Sequence, residues 1–202
     1  MTTTPPRLVP LANGDWTPEG RDLLRGKLPS ADRYLRDDVD GPPLPNILGL
    51  FGHHPQLAAQ WLGWNAGLLE MTTLPPRLRE LVILRVAWRT QCEYEWSQHV
   101  LLGREAGVSD DDLAAVTAPR DRWQGVEYDL LAAADQMVAS HRVDDPTWLR
   151  LSERFDDREL LEVLFLIASY GALAQVLNSV HLAPDPTRDG DVPRLPDPED
   201  RP

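Results

Sequence analysis

The chain has 202 residues, 42% hydrophobic and 26% charged, with a net charge of −12 from 20 Lys and Arg against 32 Asp and Glu, which is the size and balance of one globular domain. Its acidity, with no Lys/Arg-rich run, makes nucleic acid and anionic membrane poor partners. The one cysteine, Cys92, excludes an intrachain disulfide, a C-x-x-C redox pair and a multi-cysteine zinc site, and the one lysine, Lys27, leaves little room for Schiff-base chemistry.

Residues 1–19 carry Pro5, Pro6, Pro10 and Pro18 and no apolar h-region. They read as a flexible segment without a secretory signal, so a cytoplasmic protein is expected. A proline cluster at Pro42, Pro43 and Pro45 sets a short N-terminal part apart from the main body. From residue 46 onward the pattern is helical. Pro55 suits the first turn of a helix to about Glu70, with Leu57, Trp61, Trp64 and Leu68 on one stripe. His53 and His54 end a short helix before it and, being adjacent, make a poor metal clamp. Pro75-Pro76 opens the next helix, carrying Leu78, Leu81, Val82, Leu84 and Val86.

Thr90-Gln91-Cys92-Glu93 fits a capping box, so a new helix is expected to start at Thr90 and to stop at Gly107. Ser109, followed by Asp110, Asp111 and Asp112, is another helix start, with acids at the positive dipole end. Further helices fit residues 121–140, 145–154 and 157–182, the second capped by Asp145 with Pro146 at its first position. The run from Val163 to Leu177 is nearly apolar but shorter than the ~18–20 residues a membrane span needs. It reads as a buried core helix, and no membrane partner is expected. The expected fold is all-α: a single-domain helical bundle over residues 20–183, with a disordered acidic, proline-rich tail at 184–202.

Chemistry-bearing residues crowd between Glu80 and His99. In a helix begun at Thr90, Cys92, Glu95 and His99 fall at i, i+3 and i+7, on one face. Glu80 lies on the preceding helix beside Leu81, Val82 and Ile83, and a hairpin of the two helices lets it face Glu95 and His99. Two close carboxyl groups do not readily both ionise, and an imidazole moves protons near neutral pH, so the group suits acid–base work. The plainer reading is a surface Glu95–His99 pair at i, i+4. Cys92, at the second position of a helix, gains from the dipole as a thiolate, while Glu93 and Glu95 oppose ionisation; the alternative is a small core residue. Glu95, His99 and Glu80 could also offer three metal ligands, but the Glu-x-x-His pattern of helical metal sites is absent, so no metal and no cofactor is expected. Tyr94 and Trp96 are candidates to wall a substrate pocket, and Tyr170 and Asn178 to supply its polar groups; Trp96 otherwise reads as core and the last two as satisfied core polar groups. Nucleophile-elbow, P-loop and dinucleotide-binding motifs are missing.

The stretch from Leu74 to Val116 resembles the carboxymuconolactone decarboxylase superfamily, which also holds the AhpD-type alkylhydroperoxidases. The resemblance lies in R-x-R-E-L at Arg77 to Leu81, the cysteine-bearing turn, E-x-x-x-H at Glu95 to His99, Ala106-Gly107-Val108-Ser109 and the acidic helix start. Flanking pieces extend it over about residues 45–180. It implies an all-helical fold and a homo-oligomer, commonly a trimer or hexamer. AhpD-like members use a Glu, a C-x-x-C pair and a His; Glu80, Cys92 and His99 match, and Glu95 stands where the second cysteine would be. Without that resolving thiol, peroxide reduction does not end in the usual intrachain disulfide. The expected activity is therefore cofactor-free decarboxylation or isomerisation of a small organic acid or lactone, by Glu80, Glu95 and His99. The alternatives are a single-cysteine thiol peroxidase using Cys92, and a non-catalytic helical oligomer. One of Arg77, Arg79, Arg85 and Arg89 would have to turn inward to hold a substrate carboxylate.

Overall fold

The computed structural model describes residues 5–35, 43–70, 72–186 and 193–196. All regular structure among them is helical, as expected, in the order α1 (Pro18–Leu24), α2 (Asn46–Phe51), α3 (Pro55–Leu69), α4 (Pro76–Thr90), α5 (Glu93–Glu105), α6 (Asp110–Val116), α7 (Gly125–Ser140), α8 (Asp145–Ser152) and α9 (Asp157–Val180). The body expected over residues 20–183 is built of two compact units, residues 1–72 with 180–183, and residues 73–179 with 184–202. The divide thus falls just before Pro75-Pro76 and not at the Pro42–Pro45 cluster, because α2 and α3 belong with the N-terminal unit.

In that unit Trp16, Leu24, Ala31, Leu35, Leu48, Ala58, Ala59 and Leu62 form the core. Residues of the expected flexible leader are tied down there. Arg7 N–H donates to Val180 O at 2.8 Å and Leu11 N–H to Gly49 O at 3.0 Å, and Trp16 is buried. Gly49 permits the second bond, since a Cβ there would sit 2.7 Å from Leu11 O. The stop before α3 is built as the sequence suggests, with Pro55 at the helix start and the His54 ring accepting the Leu57 N–H. Met71 lies outside the described residues.

The second unit is organised on α4, whose residues Glu80 through Trp88 are all buried. A helix buried on every face must be central. It packs against α5, α6 and α7, through a core of Leu81, Leu84, Ala87, Trp88, Trp96, Val100, Val108, Val116, Trp123 and Leu131. The expected helix start at Thr90 is overturned. The Thr90 hydroxyl bonds back to Val86 O at 2.8 Å, inside α4, and Gln91 takes the left-handed conformation, φ 54°. Gln91 N–H then reaches Trp88 O at 3.3 Å and Cys92 N–H reaches Ala87 O at 2.9 Å. That pair of bonds is a Schellman closure, which satisfies the last carbonyls of α4. Cys92 is consequently the N-cap of α5 and not its second helical residue.

The remaining starts follow local chemistry. At the expected start of α6, Ser109 and Asp112 form a reciprocal cap, at 3.1 and 3.0 Å, after Gly107 has turned the chain at φ +92°. Helix α7 begins at Gly125, later than expected, since residues 120–122 form a separate 3₁₀ turn. Asp144, one residue earlier than expected, caps α8 by accepting the Thr147 N–H at 2.8 Å. Helix α9 buries Leu160, Val163, Leu166, Ile167, Tyr170, Leu173 and Leu177. It is the one helix among the described residues long and apolar enough to cross a membrane by length and composition, and half of its apolar stretch is buried in the protein. Most of the tail expected to be disordered, residues 187–192 and 197–202, lies outside the described residues; Leu195 packs on the second unit's core.

Candidate active site

Helix α4 brings Glu80, and the buried face of α5 brings Glu95 and His99, into the second unit's interior, where all three are at most 7% exposed. The α4–α5 hairpin sets Glu80 against His99, with His99 Nδ1 2.7 Å from Glu80 Oε2. Arg79 Nε stands 3.2 Å from the other oxygen, Glu80 Oε1. Burial works to raise the Glu80 carboxyl, but the His99 imidazole and then the Arg79 guanidinium outweigh it and hold Glu80 below its usual value. Glu80 is therefore an acceptor-only carboxylate, and the Nδ1–H of His99 donates to it. Tyr170, from α9, meets the His99 ring edge-on with centroids 5.0 Å apart. Burial, together with the carboxyl groups of Glu80 and Glu95, pushes the Tyr170 phenol well above its ordinary range.

Glu95 has the opposite environment. Burial lifts its carboxyl well above the usual value, opposed only by the neighbouring Cys92 thiol. Neither of its oxygens has a hydrogen-bond partner of good geometry among the described residues. The reason lies in the preceding turn. A glutamate at the third position of a helix ordinarily bonds the N-cap N–H, but here Cys92 N–H is already spent on Ala87 O. Cys92 is wholly buried, and burial first, then Glu95 beside it, drives its thiol far up. The dipole that the sequence suggested would favour a thiolate is overridden by loss of solvent.

The other candidates separate. Trp96 is in the apolar core. The Tyr94 hydroxyl donates to Asp185 Oδ2 at 3.0 Å. Asn178 is exposed and caps the end of α4 by donating to Thr90 O at 2.9 Å; it is not a core polar group. Of the four arginines, Arg77 pairs with Asp112 and Glu127, Arg85 with Asp135 and Arg89 with Asp135, so Arg79 is the one that turns to the site. Sequence spacing did not single it out, because which face of α4 meets His99 is decided by packing. No group of three or more His, Cys, Asp or Glu suited to a metal occurs among the described residues. A cleft of about 310 Å³ lies in the N-terminal unit, lined in part by Asp15, Trp16, Leu23, Gly52 and Pro55; none of the candidate residues lines it.

Residues 55–136 match the carboxymuconolactone decarboxylase family. Among curated proteins none matches the chain in sequence. An AhpD-core, peroxidase-related protein from Ralstonia eutropha JMP134 superposes with a TM-score of 0.68 at 18% identity, over 90% of this chain and 94% of its own. A peroxidase-related protein from Silicibacter sp. TM1040 gives 0.64 at 16% identity, over 71% and 78%. The debrominase Bmp8 gives 0.68 at 19% identity, over 88% and 91%, and a cysteine-to-alanine variant of it is known in complex with 2,3,4-tribromopyrrole. At these identities the structural likeness shows the fold, and residues 55–136 are similar to the carboxymuconolactone decarboxylase family.

Proposed function

We propose that this carboxymuconolactone decarboxylase-like chain is an enzyme performing cofactor-free acid–base chemistry, decarboxylation or isomerisation, on a small organic acid or lactone. One feature carries the reading: two buried carboxyl groups on the paired helices α4 and α5 have opposite surroundings, Glu80 bonded to His99 and Arg79 and held below its usual value, Glu95 unpaired and lifted above its usual value by burial. Environments that push a carboxyl pair apart assign an acid and a base partner. Glu80 orients the imidazole through Nδ1, which presents Nε2 to the reacting proton. His99 keeps slight solvent contact, whereas the Glu95 oxygens have none. Substrate therefore meets His99 first, and Glu95 gives its proton after a small opening of the site. In a decarboxylation the bond to the carboxylate carbon breaks, carbon dioxide leaves, the electron pair delocalises into an adjacent carbonyl, and Glu95 or protonated His99 delivers a proton to carbon. Arg79 supplies the positive charge beside the pair. Exposed Leu161, Phe165 and Val176 on α9 agree with a homo-oligomer that covers this face.

A second reading, a thiol peroxidase using Cys92, is favoured by the names of the structural neighbours. The buried, protonated thiol and the absence of a second cysteine weigh against it. Proton NMR of the protein with unsaturated lactone acids and β-oxo acids, in heavy water, tests both. Substrate loss or deuterium uptake that disappears in H99A and E95Q and survives in C92S supports the first reading. Turnover that survives H99A and E95Q rejects it. Peroxide consumption lost in C92S alone hands the site to the thiol.

A further inference from the structure

We infer that the cleft of the N-terminal unit is a binding site for a small α-amino amide, a ligand that joins an ammonium group, a neutral carbonyl and an apolar side chain. Glu80, Glu95 and His99 do not line it, so the inference is independent of the acid–base reading above.

The cleft, about 310 Å³, is lined by residues of the turn before α1, of α1 and of the junction between α2 and α3. That is room for a small organic molecule. Trp16, Leu23 and Pro55 give it an apolar wall, and Leu23 is 39% exposed, apolar surface that a ligand would remove from water. Trp16 also carries the polar observation. It is only 8% exposed, yet its indole Nε1 has no hydrogen-bond partner among the described residues. An indole N–H can only donate, and a buried one ordinarily finds an acceptor. The ring edge that bears it meets Gly52, a second lining residue: a Cβ on Gly52 would stand 2.9 Å from Nε1 and 2.8 Å from Cε2. The unpaired donor thus stands in the cleft wall, at the seam of two lining residues, and what the seam lacks is an acceptor. Charge then selects the acceptor. Asp15 and Glu19 line the same cleft, and neither is in an ion pair among the described residues; Asp15 accepts only the Ala12 N–H, at 3.2 Å. Two negative side chains repel a carboxylate or phosphate and attract an ammonium. The oxygen offered to Trp16 is therefore a neutral carbonyl, and the charge beside it is positive. An α-amino amide combines both with an apolar side chain, as a free molecule or as the first residue of a peptide.

The test is a titration of the full chain with phenylalaninamide, followed through the indole N–H signals in proton–nitrogen NMR. The chain has seven tryptophans, and W16F identifies the Trp16 signal by its loss. Phenylalaninamide moves that signal downfield, as expected of an N–H that gains an acceptor, and does so saturably and more than any other indole signal. Phenethylamine, which lacks the carbonyl, N-acetylphenylalaninamide, which lacks the charge, and phenylalanine, which adds a carboxylate, each bind more weakly. E19Q and D15N each weaken phenylalaninamide about two- to fivefold, the scale of one exposed charge. If W16F does not fold, the comparison of ligands on the wild type and of E19Q and D15N with it still decides the matter. A peptide beginning with Phe separates the two sources: tighter binding than phenylalaninamide makes the ligand a peptide N-terminus, weaker binding makes it the free amide. Indole signals that all stay in place, an equal response to phenylalanine and N-acetylphenylalaninamide, or an affinity unchanged in both E19Q and D15N overturns the inference.

Discussion

Helix α4 carries two buried charges five residues apart, Glu80 and Arg85, and their surroundings differ in kind. Around Arg85 every demand is met. Its guanidinium lies 2.8 and 2.9 Å from the two oxygens of Asp135, also donates to Val116 O and Ala118 O, and stacks on Trp88 at 4.6 Å. Arg120 adds a third contact to Asp135 at 3.0 Å. Such a network fixes α4 against α7 and has nothing left over for a ligand. Around Glu80 the accounting does not close. His99 and Arg79 are bonded, but Glu95 in the same interior has neither oxygen paired. Leaving a buried polar group unpaired costs about 1–3 kcal/mol. The contrast between a fully satisfied cluster and a stranded carboxyl supports the acid–base role proposed for the second.

Substitutions can break that contrast from either side. The largest expected effect is on turnover: H99A and E95Q each lower it by about 10²–10⁴-fold, the usual worth of a proton-transfer group. Circular dichroism should show the helices unchanged. D135A should act on the other cluster alone. It leaves Arg85 buried without its carboxylate and destabilises the protein by about 3–5 kcal/mol in urea unfolding, with any residual folded protein still turning over substrate.

Stability against pH sharpens the comparison within the candidate site. Glu80 is held below its unfolded value, so its contribution is present above the unfolded carboxylate range and is lost as pH falls through the acid region. E80Q should flatten that acid-side loss. Glu95 is held above its unfolded value, so its contribution is full below the unfolded range and is lost as pH rises. E95Q should therefore match wild type in acid and gain on it progressively toward neutral and alkaline pH. Parallel midpoint-against-pH curves for E95Q and wild type would show that Glu95 is not held protonated. The smallest effect is expected for N178A, which removes one exposed bond to the end of α4 and costs about 0.5–1.5 kcal/mol without touching turnover.

Much of this was legible in the chain itself. The start of α3 at Pro55, the Ser109–Asp112 cap, the Gly107 turn and the shared face of Glu95 and His99 are all set by residues within four positions of each other. Local steric and hydrogen-bond preferences act over that range, which is why spacing alone reveals them. The same range explains the errors. Thr90-x-x-Glu93 is a sound capping pattern, yet Thr90 ends a helix, because Ala87 and Trp88 claim the N–H groups of Cys92 and Gln91 first.

Sequence by itself determined an all-helical chain, the α4–α5 pair and the three residues Glu80, Glu95 and His99 as the dense point of its chemistry. Tertiary structure decided the rest. It chose Arg79 over three other arginines, sent Trp96 into the core and Asn178 to the surface, closed Cys92 away from water and left Glu95 without a partner. Each of those outcomes depends on which faces of separate helices meet and how much solvent that meeting removes. Burial energies of that kind are properties of the packed interior and have no counterpart in the spacing of residues along one chain.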